Sequence, residues 1–210
     1  MEDYKVLNYW DILLSCAFND ATRCGHGARE HMLVCVVAGE LELNDNGAIT
    51  TVRKGESVFL RKDNRLIMTK NPKDGEFYKA IYLVFKRDFL RRYYHSLNKK
   101  NLPTYLKRSD LNVYKMPEHP DFTSLFISIS PYFDASIQPT EEWANLKLQE
   151  GVMALLRTDE RFFPCLFDFS EPWKIDILDY LNRNYMYDLS LAEIASFTGR
   201  SLASFKRDFR

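Results

Sequence analysis

The side chains best suited to a specific chemistry are three cations near the end of the sequence. Lys206, Arg207 and Arg210 lie off the helix face on which Phe205 and Phe209, four residues apart, would stand. An exposed basic stripe on a short helix can neutralise phosphates, and a guanidinium can bind guanine O6 and N7 with two parallel hydrogen bonds. The pattern predicts a nucleic-acid contact.

Two capped helices joined by a glycine turn must position this stripe. Ser190 followed three residues later by Glu193 is the sequence of a capping box, which starts a helix of two turns. Gly199 predicts the end of that helix, because a tight turn needs a positive φ, and Ser201 caps the helix that carries the stripe. An earlier helix is predicted over residues 170–184. The whole is a helix-turn-helix pattern.

Composition excludes several classes of protein. The chain has 210 residues, 46% of them hydrophobic, with 29 Lys+Arg against 29 Asp+Glu. This length predicts one large domain or a medium and a small one, and zero net charge excludes a polybasic nucleic-acid coat. The four cysteines have no CxxC spacing, which indicates buried thiols in a reducing compartment. With no secretion signal and no apolar run long enough to span a bilayer, we expect a soluble cytoplasmic protein without membrane contact.

From Tyr4 to about Phe85 the apolar residues come in short runs separated by turn residues, which is the rhythm of β-strands. The run His31–Ala38 is continuous and rich in β-branched residues, and it predicts a strand buried on both faces. Asn46 and Gly47 tolerate the positive φ of a hairpin turn. Six or seven strands at this spacing predict a sandwich or a small barrel.

After Phe85 the spacing becomes helical. Between Lys86 and Asp110, eight cations against two carboxylates give a net charge of +6, which indicates a solvated helix face and loop or, alternatively, a nucleic-acid contact. Helices are also predicted over 121–133 and 141–156. The second has too many apolar residues for one narrow stripe, so we expect it to bury one side in its own domain and to offer the other to a second subunit. The predicted dimer interface consists of Leu148, Val152 and Leu155.

Residues 189–209, LSLAEIASFTGRSLASFKRDF, closely resemble the first helix-turn-helix of the AraC/XylS transcriptional regulators. The resemblance rests on the Leu-Ser start, Ala195, Gly199, Ser201 and the four-residue spacing of two phenylalanines. It implies that the base-edge contacts fall on the second helix of the motif, with Arg207 or a neighbouring lysine on guanine and an alanine on a thymine methyl group. The predicted DNA-binding residues are Ser201, Ala203, Ser204, Lys206, Arg207 and Arg210.

The resemblance also implies a domain order, β first and then α. We expect a cupin-like β-barrel or double-stranded β-sandwich as regulatory domain over 1–85, a helical linker and dimerisation region over 86–168, and a helix-turn-helix of an AraC-type DNA-binding domain over 169–210. Such a regulator binds double-stranded DNA as a homodimer. The family's DNA-binding unit has two helix-turn-helix motifs, so we expect this chain to be truncated and to bind DNA weakly, because fewer phosphate contacts remain.

A cupin enzyme would hold a divalent metal through the motif HxHxxxE followed by a glycine. With Gly39 as that glycine, His26 stands at the first histidine, but Ala28 and Met32 stand where the second histidine and the glutamate are needed. A second motif begun at Gly55 fails as well. We therefore predict no metal, no cofactor and no enzymatic activity.

The interior of the predicted barrel is the candidate effector site. Relatives bind sugars, aromatic acids or lipids there, or sense a protein, but the interior residues of this chain are apolar and equally typical of plain packing. Two histidines can meet at the barrel mouth or serve as ordinary loop and strand-end residues. The candidate ligand-binding residues are His26, His31, Met32, Val34, Val36, Leu60, Ile67, Ile81 and Leu83. The alternative function is a non-catalytic cupin module that binds a protein or a small ligand.

Overall fold

The strands of the protein come first along the chain and most of its helices follow. The computed structural model describes residues 4–17, 22–28, 30–62, 64–97, 112–133, 137–168 and 188–209, with positions 177, 180, 181, 185 and 186. The strands are β1 Tyr4–Tyr9, β2 Ile12–Ala17, β3 Thr22–Ala28, β4 His31–Ala38, β5 Glu40–Asp45, β6 Ala48–Arg53, β7 Ser57–Leu60, β8 Asn64–Asn71, β9 Tyr78–Phe85 and β10 Val113–Lys115. The helices are α1 Arg87–Ser96, α2 Pro120–Ile129, a 3-10 helix Ser130–Phe133, α3 Glu141–Thr158, α4 Phe162–Leu166, α5 Leu191–Phe197 and α6 Leu202–Asp208. The predicted order, strands before helices, is confirmed.

The strands form two antiparallel sheets that pack face to face. The larger sheet has the order β1-β2-β9-β4-β7-β10 and the smaller one β3-β8-β5-β6. One buried cluster takes side chains from both sheets, as in a sandwich. Its members are Ala17, Ala28, Val34, Val36, Leu41, Leu43, Val52, Val58, Leu60, Leu66, Met68, Tyr78, Ala80 and Tyr82.

The sequence predicts six or seven strands before Phe85, whereas the structure has nine there. In the β1–β2 turn, the residues with positive φ values are Trp10 and Asp11, at 50° and 73°, and not a glycine or an asparagine. Strand β3 contains Gly25 and Gly27, which are poor strand residues and conceal it. The missed strands therefore lack the usual turn and propensity signals.

Strand β9 is buried on both faces and joins the sandwich to the helices. Ala80 and Tyr82 lie in the cluster between the sheets, while Leu83 and Phe85 lie on the other face. A side chain added at Gly151 of α3 would come within 3.0 Å of Leu83 and 3.2 Å of Phe85. The glycine therefore allows α3 to pack closely against this face of the sheet.

The turns at both ends of strand β5 depend on left-handed backbone conformations. Asn46 and Gly47 have φ values of 52° and 93°, which confirms the predicted hairpin turn between β5 and β6. Gly39, between β4 and β5, has a φ of 73°, and a Cβ at this position would lie 2.6 Å from the carbonyl oxygen of Asn71. A glycine is required here for both conformation and space.

The helices after the sandwich agree with the helical spacing. Helix α1 confirms the helix predicted after Phe85, and α2, the 3-10 helix and α3 confirm the two helices predicted over 121–133 and 141–156. The rest of the basic segment, residues 98–110, lies outside the described residues, as does most of the helix predicted over 170–184. No helix in the described part of the chain has the length and apolar character to cross a membrane.

The chain divides into two compact units, Met1–Phe167 and Asp168–Arg210. The second unit contains α5, α6 and the helical positions 177, 180 and 181. Its own buried cluster consists of Ile177, Tyr180, Ile194, Ala195, Phe197 and Phe205, with Leu181 and Leu189 packed against it.

Candidate nucleic-acid interface

Helix α5 begins with the capping box that the sequence predicts. The hydroxyl of Ser190 accepts a hydrogen bond from the backbone N–H of Glu193 at 3.3 Å. The carboxylate of Glu193 accepts one from the backbone N–H of Ser190 at 3.0 Å. The first N–H groups of any helix lack an acceptor within the helix, and here side chains supply it. The predicted capping box is confirmed, and it fixes where α5 starts.

The turn between α5 and α6 is closed by hydrogen bonds. Gly199 has the predicted positive φ, 72°. The N–H of Arg200 donates to the carbonyl of Ala195 at 2.8 Å, a bond typical of a helix that ends on a left-handed glycine. The fully buried hydroxyl of Thr198 donates to the carbonyl of Ile194 at 2.8 Å. These bonds restrict how α6 can move relative to α5.

Helix α6 starts at its predicted cap and buries one of its two phenylalanines. The hydroxyl of Ser201 accepts a hydrogen bond from the N–H of Ser204 at 3.2 Å. Phe205 is 2% exposed and belongs to the cluster of the second unit. Phe209 is 54% exposed, because it lies at the helix end, and its ring stacks on that of Phe205 at 5.4 Å. Phe205 is therefore the buried apolar anchor of the helix.

Three of the predicted DNA-binding residues share an exposed face of α6. Ala203, Lys206 and Arg207 are three and four residues apart and all are exposed. The guanidinium of Arg207 donates from Nη2 to the hydroxyl of Ser204 at 3.3 Å, and its Nε lies 3.7 Å from the carboxylate of Asp208, but the side chain remains 78% exposed. Arg210 lies outside the described residues. Two cations of the predicted stripe are thus available to a partner.

Arg200 has a structural position that the sequence analysis misses. Its side chain is 8% exposed, and its Nε lies 3.0 Å from the carboxylate of Asp208. Its Nη1 donates to the carbonyl of Thr198 at 2.9 Å. Arg200 therefore links the turn to the end of α6. An eight-residue spacing across a turn has no helical periodicity, so no sequence signal points to this ion pair.

The structure places the candidate ligand-binding residues of the sandwich partly between the two sheets and partly on their outer faces. Those in the cluster between the sheets, or packed against it, are Met32, Val34, Val36 and Leu60. Those outside this cluster are His31, Ile67, Ile81 and Leu83. The prediction of one shared interior is wrong for these four, because neighbouring strand positions point to opposite faces. Strand β3 pairs His26 with Leu66, and the side chain of His26 lies outside the described part of the chain.

His31 is a buried, neutral histidine on the helical side of the larger sheet. It is 1% exposed, its Nδ1 accepts a hydrogen bond from the N–H of Lys62 at 3.1 Å, and its ring stacks on Phe59 at 5.5 Å. Burial, followed by the positive charges of Lys62 and Arg61, lowers its pKa to about 3, against a smaller opposite effect of the Cys165 backbone. Within the described ranges, no three His, Cys, Asp or Glu side chains are grouped to hold a metal.

A lysine inside the sandwich is a polar feature that the sequence analysis misses. Lys70 is 5% exposed, and its Nζ donates to the hydroxyl of Ser15 at 3.1 Å. The same ammonium lies 5.8 Å and 5.9 Å from the ring centres of Tyr78 and Tyr82, whose hydroxyls are 2.8 Å apart. The alternation of Leu66, Met68 and Lys70 along β8 is the signal that places the lysine on the inner face.

The predicted dimer interface is wrong for all three of its residues. Leu148, Val152 and Leu155 are 2%, 0% and 0% exposed, because this face of α3 packs inside its own unit. On the exposed side of α3, Leu146 and Met153 are 62% and 52% exposed. They line a groove of about 580 Å³. The rest of the groove consists of Asp121, Ser124, Trp143, Lys147, Gln149, Glu150, Ala154 and Arg157.

A protein-family model matches the N-terminal part of the chain. Residues 31–162 match the family described as the ExsA N-terminal regulatory domain. This match confirms the resemblance to an AraC/XylS regulator with an N-terminal domain. No curated protein matches the chain.

Solved structures share the fold over most of the chain. An apo variant of ToxT from Vibrio cholerae strain SCE256 is 12% identical with a TM-score of 0.55, covering 96% of this chain and 75% of that one. ToxT from Vibrio cholerae O395, bound to (E)-4-(8-methylnaphthalen-1-yl)but-3-enoic acid, is 10% identical with a TM-score of 0.52, covering 99% and 76%. CuxR, described as an AraC-like transcriptional activator, is 13% identical with a TM-score of 0.47, covering 95% and 70%. At these identities, the likeness to ToxT is one of fold.

Proposed function

We propose, from the premise that this chain belongs to the ExsA N-terminal regulatory domain family, that it is a sequence-specific DNA-binding transcription regulator. In this proposal α6 enters the major groove, and the β-sandwich with its helices receives the regulatory signal. The observation that carries it is the exposed pair Lys206 and Arg207 on a short helix whose start and turn are closed by hydrogen bonds. A rigid helix with an exposed basic face is what groove entry requires.

The residues of α6 take different roles in this contact. The guanidinium of Arg207 can bind guanine O6 and N7, the ammonium of Lys206 can bind a guanine or a phosphate, and the methyl group of Ala203 can contact a thymine methyl group. Ser201 uses its hydroxyl as helix cap and Ser204 accepts from Arg207, so these two serines position the helix and its arginine.

The DNA contact is tested by removing its two described cations. The test variant carries both Lys206→Ala and Arg207→Ala. In a plot of the logarithm of duplex affinity against the logarithm of salt concentration, its slope should be less steep by about 1 to 2. The reason is that the variant makes fewer phosphate contacts, so that its binding releases fewer counterions. Fluorescence anisotropy with a labelled duplex measures this slope.

The matched control removes two cations from α1 instead. Arg91→Ala with Arg92→Ala makes the same change in net charge on exposed positions of the other basic segment. We expect the control to keep the slope of the unsubstituted chain. If the α1 pair lowers the slope and the α6 pair does not, the nucleic-acid contact belongs to α1 and the assignment to α6 is wrong.

We also propose that the protein dimerises through the exposed side of α3. Trp143, Leu146, Glu150, Met153 and Arg157 follow one another at alternating spacings of three and four residues, which is the period of helices that pair along a seam. Antiparallel pairing of two α3 helices would bring the acidic first turn of one helix, Glu141 and Glu142, near the arginine of the last turn of the other.

Sedimentation tests this corrected interface. Leu146→Glu with Met153→Glu should convert a dimer into a folded monomer, because each carboxylate would be desolvated in the interface. The control, Ile49→Glu with Phe77→Glu, replaces exposed apolar residues, 62% and 53% exposed, elsewhere in the same unit. Its sedimentation should be unchanged. A folded Leu146/Met153 variant that stays dimeric contradicts the proposed interface.

A further inference from the structure

A second cavity, of about 600 Å³, lies where the end of β4 meets the β6–β7 turn, the residues after β10 and helix α2. This volume is within the range of small-molecule sites in proteins. Its apolar lining includes Val37, Met116, Pro117, Phe122, Phe126 and Ile127. Met116, Phe122 and Phe126 are buried, whereas Ile127 at the rim is 66% exposed. Two phenyl rings and a polarizable thioether favour a planar aromatic occupant.

The two lysines beside this cavity are each paired with a carboxylate, and Glu118 adds a further carboxylate to its lining. Lys115 Nζ lies 2.7 Å from the carboxylate of Glu56, and Lys54 Nζ lies 2.6 Å from that of Glu76. Burial alone would raise the pKa of Glu56, but hydrogen bonds from Lys115 and from the backbone, together with nearby positive charge, bring it below its ordinary value. An anionic ligand would have to displace a carboxylate from one of these lysines. The lining therefore disfavours an anionic ligand.

His119 supplies a directional hydrogen-bond donor at the rim. Its Nδ1 accepts a hydrogen bond from the N–H of Asp121 at 3.2 Å as the cap of α2, and its ring stands edge-on to Phe122 at 6.4 Å. With Nδ1 as the acceptor, the N–H of the ring is assigned to Nε2. Within the described part of the chain, Nε2 has no hydrogen-bond partner. It can therefore donate to an acceptor on a ligand.

The thiol in the wall of the cavity is chemically inert. Burial raises the pKa of Cys35 to about 11, in spite of a hydrogen bond with Ser57 that acts in the opposite direction. A neutral buried thiol is a poor nucleophile and packs like a small apolar group. Binding in this cavity is therefore noncovalent.

We propose that this cavity binds a neutral planar aromatic molecule that carries a hydrogen-bond acceptor, with its rings against Phe122, Phe126 and Met116 and its acceptor at His119 Nε2. That the molecule acts as an effector rests on the regulator function proposed above. Helix α2 lines this cavity with one face and, through Asp121 and Ser124, the α3 groove with another. An occupant that ties α2 to the sheet would therefore also affect the groove.

Methionine methyl groups report separately on three sites of the chain. Met116 lines this cavity, Met153 lines the α3 groove, and Met68 lies in the cluster between the sheets. In the whole chain labelled with ¹³C-methyl methionine, coumarin, a neutral two-ring compound with a carbonyl acceptor, should shift the Met116 resonance saturably by its ring current. The Met68 resonance should not move, and the Met153 resonance should shift less than that of Met116, because the occupant reaches the α3 groove only through α2. Single Met→Leu variants assign the three signals.

Coumarin-3-carboxylate adds one negative charge to the same rings, and it should bind at least about tenfold more weakly. Ile127→Trp should weaken coumarin binding by a similar factor of about ten by filling the rim. Ile49→Trp is the same substitution at an equally exposed position, 62% exposed, and should change binding by less than about twofold.

Three results would overturn the proposal. They are a Met116 signal that does not respond up to the solubility limit of coumarin, a response at Met68 or Met153 instead, or carboxylate binding as tight as that of coumarin. Folding of each variant is checked by its methionine spectrum without ligand. Because this titration contains no DNA, failure of the cavity proposal is distinguishable from failure of the DNA-contact proposal.

Discussion

Acid should destabilise the first unit through His31. An unfolded histidine has a pKa near 6.5, whereas burial lowers the folded value to about 3. Between these values the unfolded chain binds one proton more than the folded chain. The contribution of neutral His31 to the free energy of unfolding is therefore complete above about pH 6.5 and decreases as pH falls towards 3. Each pH unit contributes about 1.4 kcal/mol, which amounts to about 2 kcal/mol at pH 5.

The substitution that tests this is His31→Phe. Phenylalanine keeps a ring against Phe59 and removes the titrating group, although it also loses the acceptor for the N–H of Lys62. That loss lowers stability by about 1 kcal/mol at every pH, so the difference between pH 7 and pH 5 isolates the proton. We expect the variant to lose about 2 kcal/mol less than the unsubstituted chain over this interval.

Urea unfolding followed by tryptophan fluorescence measures this difference. In a Trp173→Phe background, the remaining tryptophans, Trp10 and Trp143, lie in the same unit as His31. The control His95→Phe makes the same substitution at an exposed position and measures what the replacement itself does to the pH dependence. Equal losses of stability in the His31 variant and the unsubstituted chain would refute the reasoning, because they would mean that His31 takes up no extra proton on unfolding.

Three further substitutions test the packing. Gly39→Ala should destabilise the chain by about 2 kcal/mol or more, and Gly47→Ala by about 1 kcal/mol. Both glycines have a positive φ, but only a Cβ at position 39 would clash with a carbonyl oxygen. Urea unfolding of the two variants therefore separates the effect of the clash from that of the positive φ. Leu148→Ala should lower unfolding free energy by about 3 kcal/mol and leave sedimentation unchanged, and a monomer would return this residue to the interface. Arg200→Ala should speed amide exchange in α5 and α6 by about tenfold through the lost ion pair, and protection equal to that of the unsubstituted chain would show that the pair is dispensable.

The sequence predicts the caps and turns of this fold well, because they depend on few residues. The capping box at Ser190, the glycine turn at Gly199 and the hairpin at Asn46 each rest on a local conformational or hydrogen-bonding requirement that a residue type reveals. Strands β1 and β2 are missed because Trp10 and Asp11 adopt a turn conformation that their residue types do not indicate, and β3 is missed because it contains two glycines.

Which face of an element meets which neighbour is the part that local sequence cannot determine. Helix α3 has apolar residues all round, so its composition does not tell that Leu148 faces the protein and Leu146 faces solvent. On β9 the alternation is correct, but both faces are buried, and the choice of Leu83 as an inter-sheet residue is wrong. The partnership of Arg200 with Asp208 likewise depends on how a turn folds back.

The measurement that tests the DNA contact most directly is a ¹⁵N spectrum of this chain titrated with a duplex of about 20 base pairs at low salt, where weak phosphate binding is strongest. Our account predicts that the largest shifts fall on residues 201–209, centred on Lys206 and Arg207, and that they disappear as salt is added. Shifts concentrated in α1, or shifts of 201–209 that persist when both cations are replaced by alanine, would contradict it.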